Sequence, residues 1–175
     1  MKLRALVVLT LIGCGGDDGG APIDPSVPAT PYCAPVAGFT STALEDEILT
    51  IVNQHRAAGA TCGGQAMAAV PPLTIVPSLR CAARVHTKDM VDRGYFDHTN
   101  PDGEQPWDRM ERAGYAWSSA GENIAAGNGT AVATMDQWMN SAGHCRNIMS
   151  PDFTDIGVGH VETAAMWTQV FGAPR

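Results

Sequence analysis

The chain is short of basic residues and of charge in general. Among its 175 residues, 11 are Lys or Arg and 18 are Asp or Glu, which gives a formal net charge of −7. An acidic chain without a Lys/Arg run repels phosphate backbones, so we exclude nucleic acid as a partner. Charged residues make up 17% and hydrophobic residues 45%, a composition typical of a globular domain. The length accommodates one domain with a tail.

Long apolar runs and several local catalytic motifs are also absent. No stretch reaches the roughly 18 apolar residues that a membrane-spanning helix needs. The lack of a G-x-S-x-G motif argues against a serine hydrolase. No H-E-x-x-H or C-x-x-C spacing places two metal ligands on one helical face. Any chemistry must therefore depend on residues that are distant along the chain.

The first fourteen residues have the layout of an export signal. A short positive start at Lys2 and Arg4 precedes a compact apolar stretch that is too short to form a stable spanning helix. The stretch ends in Leu-Ile-Gly-Cys at 11–14, which resembles the lipobox of bacterial lipoproteins. In that class the chain is cut before the cysteine, which is acylated and anchors stably through two or more acyl chains. We predict a signal peptide at 1–13 and lipidation at Cys14; the alternative is ordinary secretion with Cys14 unmodified.

Residues 14–38 show no helical or alternating apolar period. Gly and Asp come first, and five prolines follow, at Pro22, Pro25, Pro28, Pro31 and Pro35. This composition predicts a flexible tether that stiffens into extended, polyproline-like chain. The tether would hold a domain at 39–175 away from a lipid surface. We therefore expect an exported lipoprotein that is anchored to a membrane on the cell envelope or is extracellular.

The cysteine count agrees with export. With Cys14 assigned to the lipid, four cysteines remain, at Cys33, Cys62, Cys81 and Cys145. An even number outside the cytoplasm predicts two disulfides, for which three pairings are possible. The alternatives are free structural thiols or a nucleophilic Cys145 activated by the adjacent histidine.

Apolar spacing and capping signals predict four helices and at least three strands. The helices are expected at 42–58 with Thr42 as its cap, from Ser78 to Gly94, at 106–113 and at about 131–141. The stretch at 60–77 is expected to be a loop. Strands are expected from about 121, at 155–162 and at 164–171, with the last two forming a hairpin. This order predicts an α+β domain with helices packed on a mostly antiparallel sheet.

Three polar clusters lie at the ends of these elements, where binding residues tend to occur. They contain His98, Glu122 and His144 as candidate functional residues. Histidine and glutamate are side chains expected for metal ligation or for proton transfer near neutral pH. The separations along the chain do not by themselves show that the three share a site.

The clusters also carry a family resemblance. Y-F-D-H-T-N-P at 95–101, G-E-N-I-A at 121–125 and W-M-N-S-A-G-H-C-R-N-I-M from residue 138 occur in this order. Together they resemble the signatures of the CAP superfamily, which comprises cysteine-rich secretory proteins, antigen 5 and plant pathogenesis-related family 1. The chain is most similar to the bacterial, SCP-like branch, over about residues 44–171. The resemblance implies a three-layer α-β-α sandwich with a mostly antiparallel central sheet.

The resemblance further implies a central cleft with two histidines and two acidic residues. His98, Glu122 and His144 match three of them, and in some members the histidine pair holds a divalent metal, often zinc. The second carboxylate of the eukaryotic members follows the tryptophan that matches Trp138. Here Met139 and Asn140 follow instead, so the cleft resembles a three-member version of the usual four.

The resemblance leaves two functions open, because CAP proteins are associated with lipid or sterol binding, defence and signalling without a common reaction. We favour a non-enzymatic, surface-tethered and monomeric binding module that takes a small apolar ligand, a peptide or an envelope component. The alternative is a metal-assisted hydrolase or protease that uses His98, Glu122 and His144, with zinc or another divalent metal as its cofactor.

The remaining polar and aromatic residues are interpreted as structural. Hydrogen bonds that hold the fold are expected from Asn123, Arg146 and Asn147. His86, on the apolar face of its helix, is expected to be a core residue. Trp138 and Trp167 are expected in the core. His55 and His160 are expected to be structural or exposed.

Overall fold

The computed structural model describes residues 27–39 and 43–175. The predicted signal peptide at 1–13, the lipidation site at Cys14 and the predicted helix cap at Thr42 lie outside these ranges. Within them, none of the helices combines the length and the apolar character that crossing a bilayer would require.

Within the described residues, five α-helices follow one another, and local sequence signals set most of their ends. They are α1 (Ala43–Ala58), α2 (Pro77–Arg93), α3 (Pro106–Arg112), α4 (Ala131–Met139) and α5 (Ala142–Ile148). Helix α2 ends at Gly94, whose φ of 67° only glycine adopts readily. The predicted cap at Ser78 is wrong, because Val76 precedes the helix and Pro77 is its first residue. Helix α5 was not predicted.

The part of the chain that the structure describes also contains six strands: β1 (Ala60–Cys62), β2 (Gln65–Met67), β3 (Thr74–Ile75), β4 (Trp117–Ala126), β5 (Asp155–Val161) and β6 (Met166–Pro174). Strands β1 and β2 form a separate hairpin, and the central sheet has the order β3-β5-β6-β4. Only β3 and β5 are parallel. The predicted β5–β6 hairpin is confirmed, whereas the predicted loop at 60–77 contains three short strands.

The sheet lies between two helical layers, each of which covers its own apolar core. On one face, α1, α4 and α5 pack over a cluster that includes Ile156, Val158 and Trp167. On the other face, α2 and α3 pack over a cluster that includes Leu79 and Val170. The predicted three-layer sandwich with a mostly antiparallel sheet is therefore confirmed.

Two glycines of β5 allow α2 to lie directly on the sheet. A Cβ atom added to Gly157 would lie 2.0 Å from the carbonyl carbon of Leu79, and one added to Gly159 would lie 2.5 Å from that of Ala83. Side chains on this face would therefore push the helix away. The close contact fixes the position of α2, which carries His86 and leads into the loop that contains His98.

Residues 27–39, which we name the strap, correct the prediction of an extended tether for its second half, 27–38, while residues 14–26 lie outside the described ranges. Val27, Cys33 and Val36 are buried, and a short 3₁₀ turn spans Ala34–Val36. The buried residues belong to the same core cluster as α2 and α3. Proline-rich composition indicated extended chain, but burial and a disulfide dock the strap on the domain.

Both predicted disulfides are present, and the structure supplies their pairing. Cys33 pairs with Cys81 and ties the strap to α2, while Cys62 pairs with Cys145 and ties β1 to α5. Bridges that close loops of this length stabilise a domain by about 2–4 kcal/mol each. Cys145 is therefore not a free thiol, and the alternative of a nucleophilic cysteine is wrong.

Candidate functional site

The loop after α2 and the strand β4 bring two of the predicted site residues together. His98 Nδ1 lies 2.8 Å from Glu122 Oε1. The Glu122 side chain is 2% exposed, while that of His98 is 47% exposed. A buried carboxylate thus orients an imidazole whose ring is open to solvent.

Arg109 on α3 holds the other oxygen of this carboxylate. Its Nη2 donates to Glu122 Oε2 at 2.8 Å and to the backbone carbonyl of His98 at 2.9 Å, and its Nη1 donates to the carbonyl of Glu104 at 3.0 Å. The guanidinium is almost fully buried. A buried carboxylate requires such a partner, because burying an unpaired charge is costly. Arg109 belongs to none of the sequence motifs, and its role was not predicted.

His86 lies behind the carboxylate. It is buried, as expected, but its Nε2 lies 3.7 Å from Glu122 Oε1, so it borders the site. Burial lowers the pKa of His86 to about 4, in spite of the nearby Glu122 charge, and the imidazole is therefore neutral near pH 7. The Tyr95 hydroxyl contacts His86 Nδ1 at 3.4 Å and donates to Asp89 at 2.6 Å.

His144, the third predicted residue, lies on α5 and shares no direct hydrogen bond with the pair. Its backbone carbonyl accepts from Asn123 Nδ2 at 3.2 Å. Its ring Nδ1 is buried and has no hydrogen-bond partner among residues 27–39 and 43–175. Burial and the positive charge of His98 lower the pKa of His144. The charge of His98 thus acts on His144, although no direct hydrogen bond joins the two rings.

The surroundings shift the pKa values of the two imidazoles in opposite directions. The hydrogen bond to Glu122 raises the pKa of His98, against the opposing effect of burial. A raised pKa widens the pH range over which His98 is protonated and can donate, and a lowered pKa widens the range over which His144 is neutral and can accept. Because their pKa values are shifted apart, His98 is the better donor and His144 the better acceptor towards a bound molecule.

An amide network fixes β4 against α5 beneath the site. Asn123 donates to Gln169 Oε1 at 3.1 Å, and Asn147 donates to Asn123 Oδ1 at 2.9 Å. These bonds confirm the structural roles predicted for both asparagines. The same prediction for Arg146 is wrong, because Arg146 is exposed on α5 and its side chain makes no hydrogen bond with the other described residues. Trp138 and Trp167 are fully buried, as predicted.

A cavity of about 300 Å³ opens beside the His98–Glu122 pair. Its walls are mainly apolar, and Trp107 exposes 45% of its surface there. We name this cavity the cleft; it is lined by His98, Gln105, Pro106, Trp107, Ala120, Gly121 and Glu122. His144 is not among these lining residues. The cleft offers an apolar wall with one imidazole at its edge.

The donor set does not fit a resident zinc ion. Within the described part of the chain, no three His, Cys, Asp or Glu side chains are placed to hold a metal. Both oxygens of Glu122 are engaged, and Met139 and Asn140, not an acidic residue, come directly after Trp138. The two remaining imidazoles are fewer than the three protein ligands of a typical catalytic zinc site.

The three-layer sandwich is the fold that the sequence resemblance to CAP, or SCP, domains implies. The model of the CAP family, described as the cysteine-rich secretory protein family, matches residues 49–171. The chain belongs to this family, which confirms the resemblance seen in the sequence.

Similar proteins share this domain but are mostly longer. The uncharacterized protein YkwD of Bacillus subtilis (strain 168) is 47% identical over 100 residues, covering 57% of this chain and 39% of YkwD. An extracellular protein containing a SCP domain from Bacillus anthracis str. Ames has a crystal structure with a TM-score of 0.65 and 32% identity, covering 73% of this chain and 39% of that one. The chain thus spans about two fifths of the length of both relatives.

A more distant structure shares the fold alone. An outer surface protein from Borrelia burgdorferi has a TM-score of 0.60 and 18% identity, covering 74% of this chain and 94% of that one.

Proposed function

We propose that this chain is an exported, surface-tethered binding module whose cleft takes a small ligand with an apolar body and one hydrogen-bond acceptor. The observation that carries the proposal is the engagement of both Glu122 oxygens, by His98 and by Arg109, next to an apolar wall. The ligand classes are those expected from the sequence: a lipid-like molecule, a peptide or an envelope component.

The engaged carboxylate favours binding over hydrolysis. A general base needs an oxygen within reach of the proton of an attacking water. Glu122 instead shares its oxygens with a guanidinium and an imidazole, and its side chain is almost fully buried. It serves to orient His98 rather than to accept a proton.

The cleft walls define the shape of the ligand. Trp107 and Pro106 supply a rigid apolar surface, and aromatic rings at binding sites contribute large contact area at low entropic cost. The ring of His98, when it is protonated, can donate to an acceptor at the edge of the cleft. Apolar walls with few convergent polar groups are typical of small-molecule sites.

Extraction of the purified exported protein, followed by mass spectrometry, tests the cleft. We expect a co-purified apolar compound, and we expect Trp107→Ala to reduce its affinity by about tenfold or more, because truncation removes most of the buried contact. Val132→Ala is the matched control. Val132 is also an exposed large hydrophobic residue, but it lies on α4 and does not line the cleft.

Two results would contradict this proposal. One is equal ligand recovery from Trp107→Ala and Val132→Ala. The other is stoichiometric zinc that is lost in the His98→Ala/His144→Ala variant together with turnover of a peptide library, which would support the metal-assisted hydrolase instead.

Membrane attachment through Cys14 is the second part of the proposal. It is supported by the lipobox-like residues 11–14 and by the apolar stretch before them. The two disulfides fit an oxidising location, and the similar Bacillus anthracis protein is described as extracellular.

We expect Cys14→Ala to move the protein from the membrane fraction to the soluble fraction, because the acyl chains provide the only anchor in the proposal. Ultracentrifugation of cell fractions and mass spectrometry of the N-terminal peptide measure this. Ala21→Ser, in the segment after the cysteine, should leave the protein on the membrane. Membrane association that persists in Cys14→Ala would refute lipid anchoring.

A further inference from the structure

A second cavity lies between the strap and the helices α2 and α3. Its volume is about 280 Å³, and we name it the strap pocket. Tyr32 of the strap forms one wall, while Asp89 and Arg93 of α2 and Arg112 of α3 form others. Arg109 lines it as well, so one guanidinium borders both the strap pocket and the carboxylate of the cleft.

The strap wall lies outside the family match and is held in place. Tyr32 precedes residue 49, where the match to the family begins. The Cys33–Cys81 disulfide and the buried Val36 dock the strap on α2. The Arg112 guanidinium lies 4.5 Å from the centre of the Tyr32 ring, a cation–π contact that orients the phenol. The wall that the strap contributes to the pocket is therefore held in place in the folded domain.

Two buried donors in this pocket have no acceptor. Tyr32 Oη and Arg109 Nε are both inaccessible to solvent and without a hydrogen-bond partner in the described ranges. Burial, followed by the negative charge of Glu104, raises the pKa of Tyr32, so the hydroxyl keeps its proton. Arg109 and Arg112 lie three residues apart on α3, so the helix face that brings Arg112 over the Tyr32 ring also carries Arg109, and both line the pocket. Unsatisfied buried donors destabilise a fold and indicate a missing acceptor.

The charges around the pocket determine the kind of acceptor. Three guanidiniums and three carboxylates line the pocket, so their formal charges cancel. A ligand that carries one positive and one negative group keeps this neutrality, whereas a simple anion or cation does not. Arg93 pairs with Asp102 at 2.6 Å and Arg112 with Glu104 at 2.8 Å. Asp89 Oδ1 has only a 3.5 Å contact with Arg93, which leaves it able to accept from an ammonium group.

We propose that the strap pocket binds a small amino carboxylate, an amino acid or a dipeptide, whose carboxylate accepts from Tyr32 Oη and Arg109 Nε and whose ammonium faces Asp89. The pocket volume of about 280 Å³ lies just below the range of about 300–1,000 Å³ that is typical for drug-sized ligands. It therefore suits a smaller molecule such as an amino acid or a dipeptide. This site is separate from the cleft and does not depend on the function proposed for it.

The test titrates the purified exported protein with glycine, L-alanine and L-alanyl-L-alanine while the side-chain Nε–H resonance of Arg109 is followed by NMR. We expect a saturable shift of this resonance with at least one of these probes. Acetate and methylammonium each carry one of the two charges, and we expect them to bind at least about tenfold more weakly, because each loses one set of charge-assisted bonds.

Tyr32→Phe removes one donor and keeps the ring over Arg112, so we expect it to weaken binding of the best probe about tenfold. Tyr115→Phe is the matched control, since that hydroxyl donates to Asp155 outside the pocket. Trp107→Ala should leave this binding unchanged, which separates the strap pocket from the cleft. The proposal is overturned by the absence of a saturable shift with all three probes, which would indicate a pocket filled by water only, or by equal binding to Tyr32→Phe and the wild type.

Discussion

Replacing Gly157 with alanine is expected to destabilise the domain by about 3 kcal/mol or more, at the upper end of the usual range for overpacking. The added Cβ would lie 2.0 Å from the Leu79 carbonyl carbon and 2.2 Å from the Arg80 nitrogen. Both are backbone atoms of α2, so no side-chain rotation can relieve the clash. The helix cannot easily shift either, because Cys81 ties it to the strap. Urea unfolding followed by circular dichroism measures the loss.

Gly143→Ala is the matched control for this substitution. Gly143 lies within α5, and an added Cβ would meet nothing within 4 Å. Alanine in a helix interior is favoured over glycine by about 1 kcal/mol, so this variant should be as stable as the wild type or more stable. A Gly157→Ala variant within about 0.5 kcal/mol of the wild type would show that α2 does not pack directly on β5.

Gly157 and Gly159 show which parts of the fold the sequence predicts and which parts it does not. The β-branched content of residues 155–162 predicts a strand, and β5 confirms it, but this content does not reveal that α2 packs on Gly157 and Gly159. Local signals also placed α3, with Pro106 at its first position and Gly114 shortly after its last residue. Such signals depend on neighbours in sequence and can therefore be read directly. Contacts between layers depend on residues that meet only after folding.

The strap and the candidate site both depend on contacts between residues that meet only after folding. Proline-rich composition predicted extended chain for the strap, whereas Cys33 pairs with a cysteine 48 residues later. Motifs identified His98 and Glu122, which the structure places in direct contact. They did not identify Arg109, because its partner lies 13 residues away in a different element and no spacing rule links them.

Arg109→Met is expected to cost about 3–5 kcal/mol of stability, because it leaves the buried Glu122 charge without its guanidinium partner. It also removes the donors to the carbonyls of His98 and Glu104. The Arg109→Met/Glu122→Gln double variant should lose less than the sum of the two single variants, by about 1–3 kcal/mol. Arg146→Met is the control, since Arg146 is exposed on α5 and its replacement should change stability by about 0.5 kcal/mol or less.

This double-mutant cycle also bears on the choice between binding and hydrolysis. A coupling energy of the expected size means that the guanidinium holds the carboxylate, so Glu122 orients His98 and does not accept protons from water. Additive losses would mean that Glu122 and Arg109 act independently. The carboxylate would then be free to serve as a base, and the main physical reason for preferring a binding module would be lost.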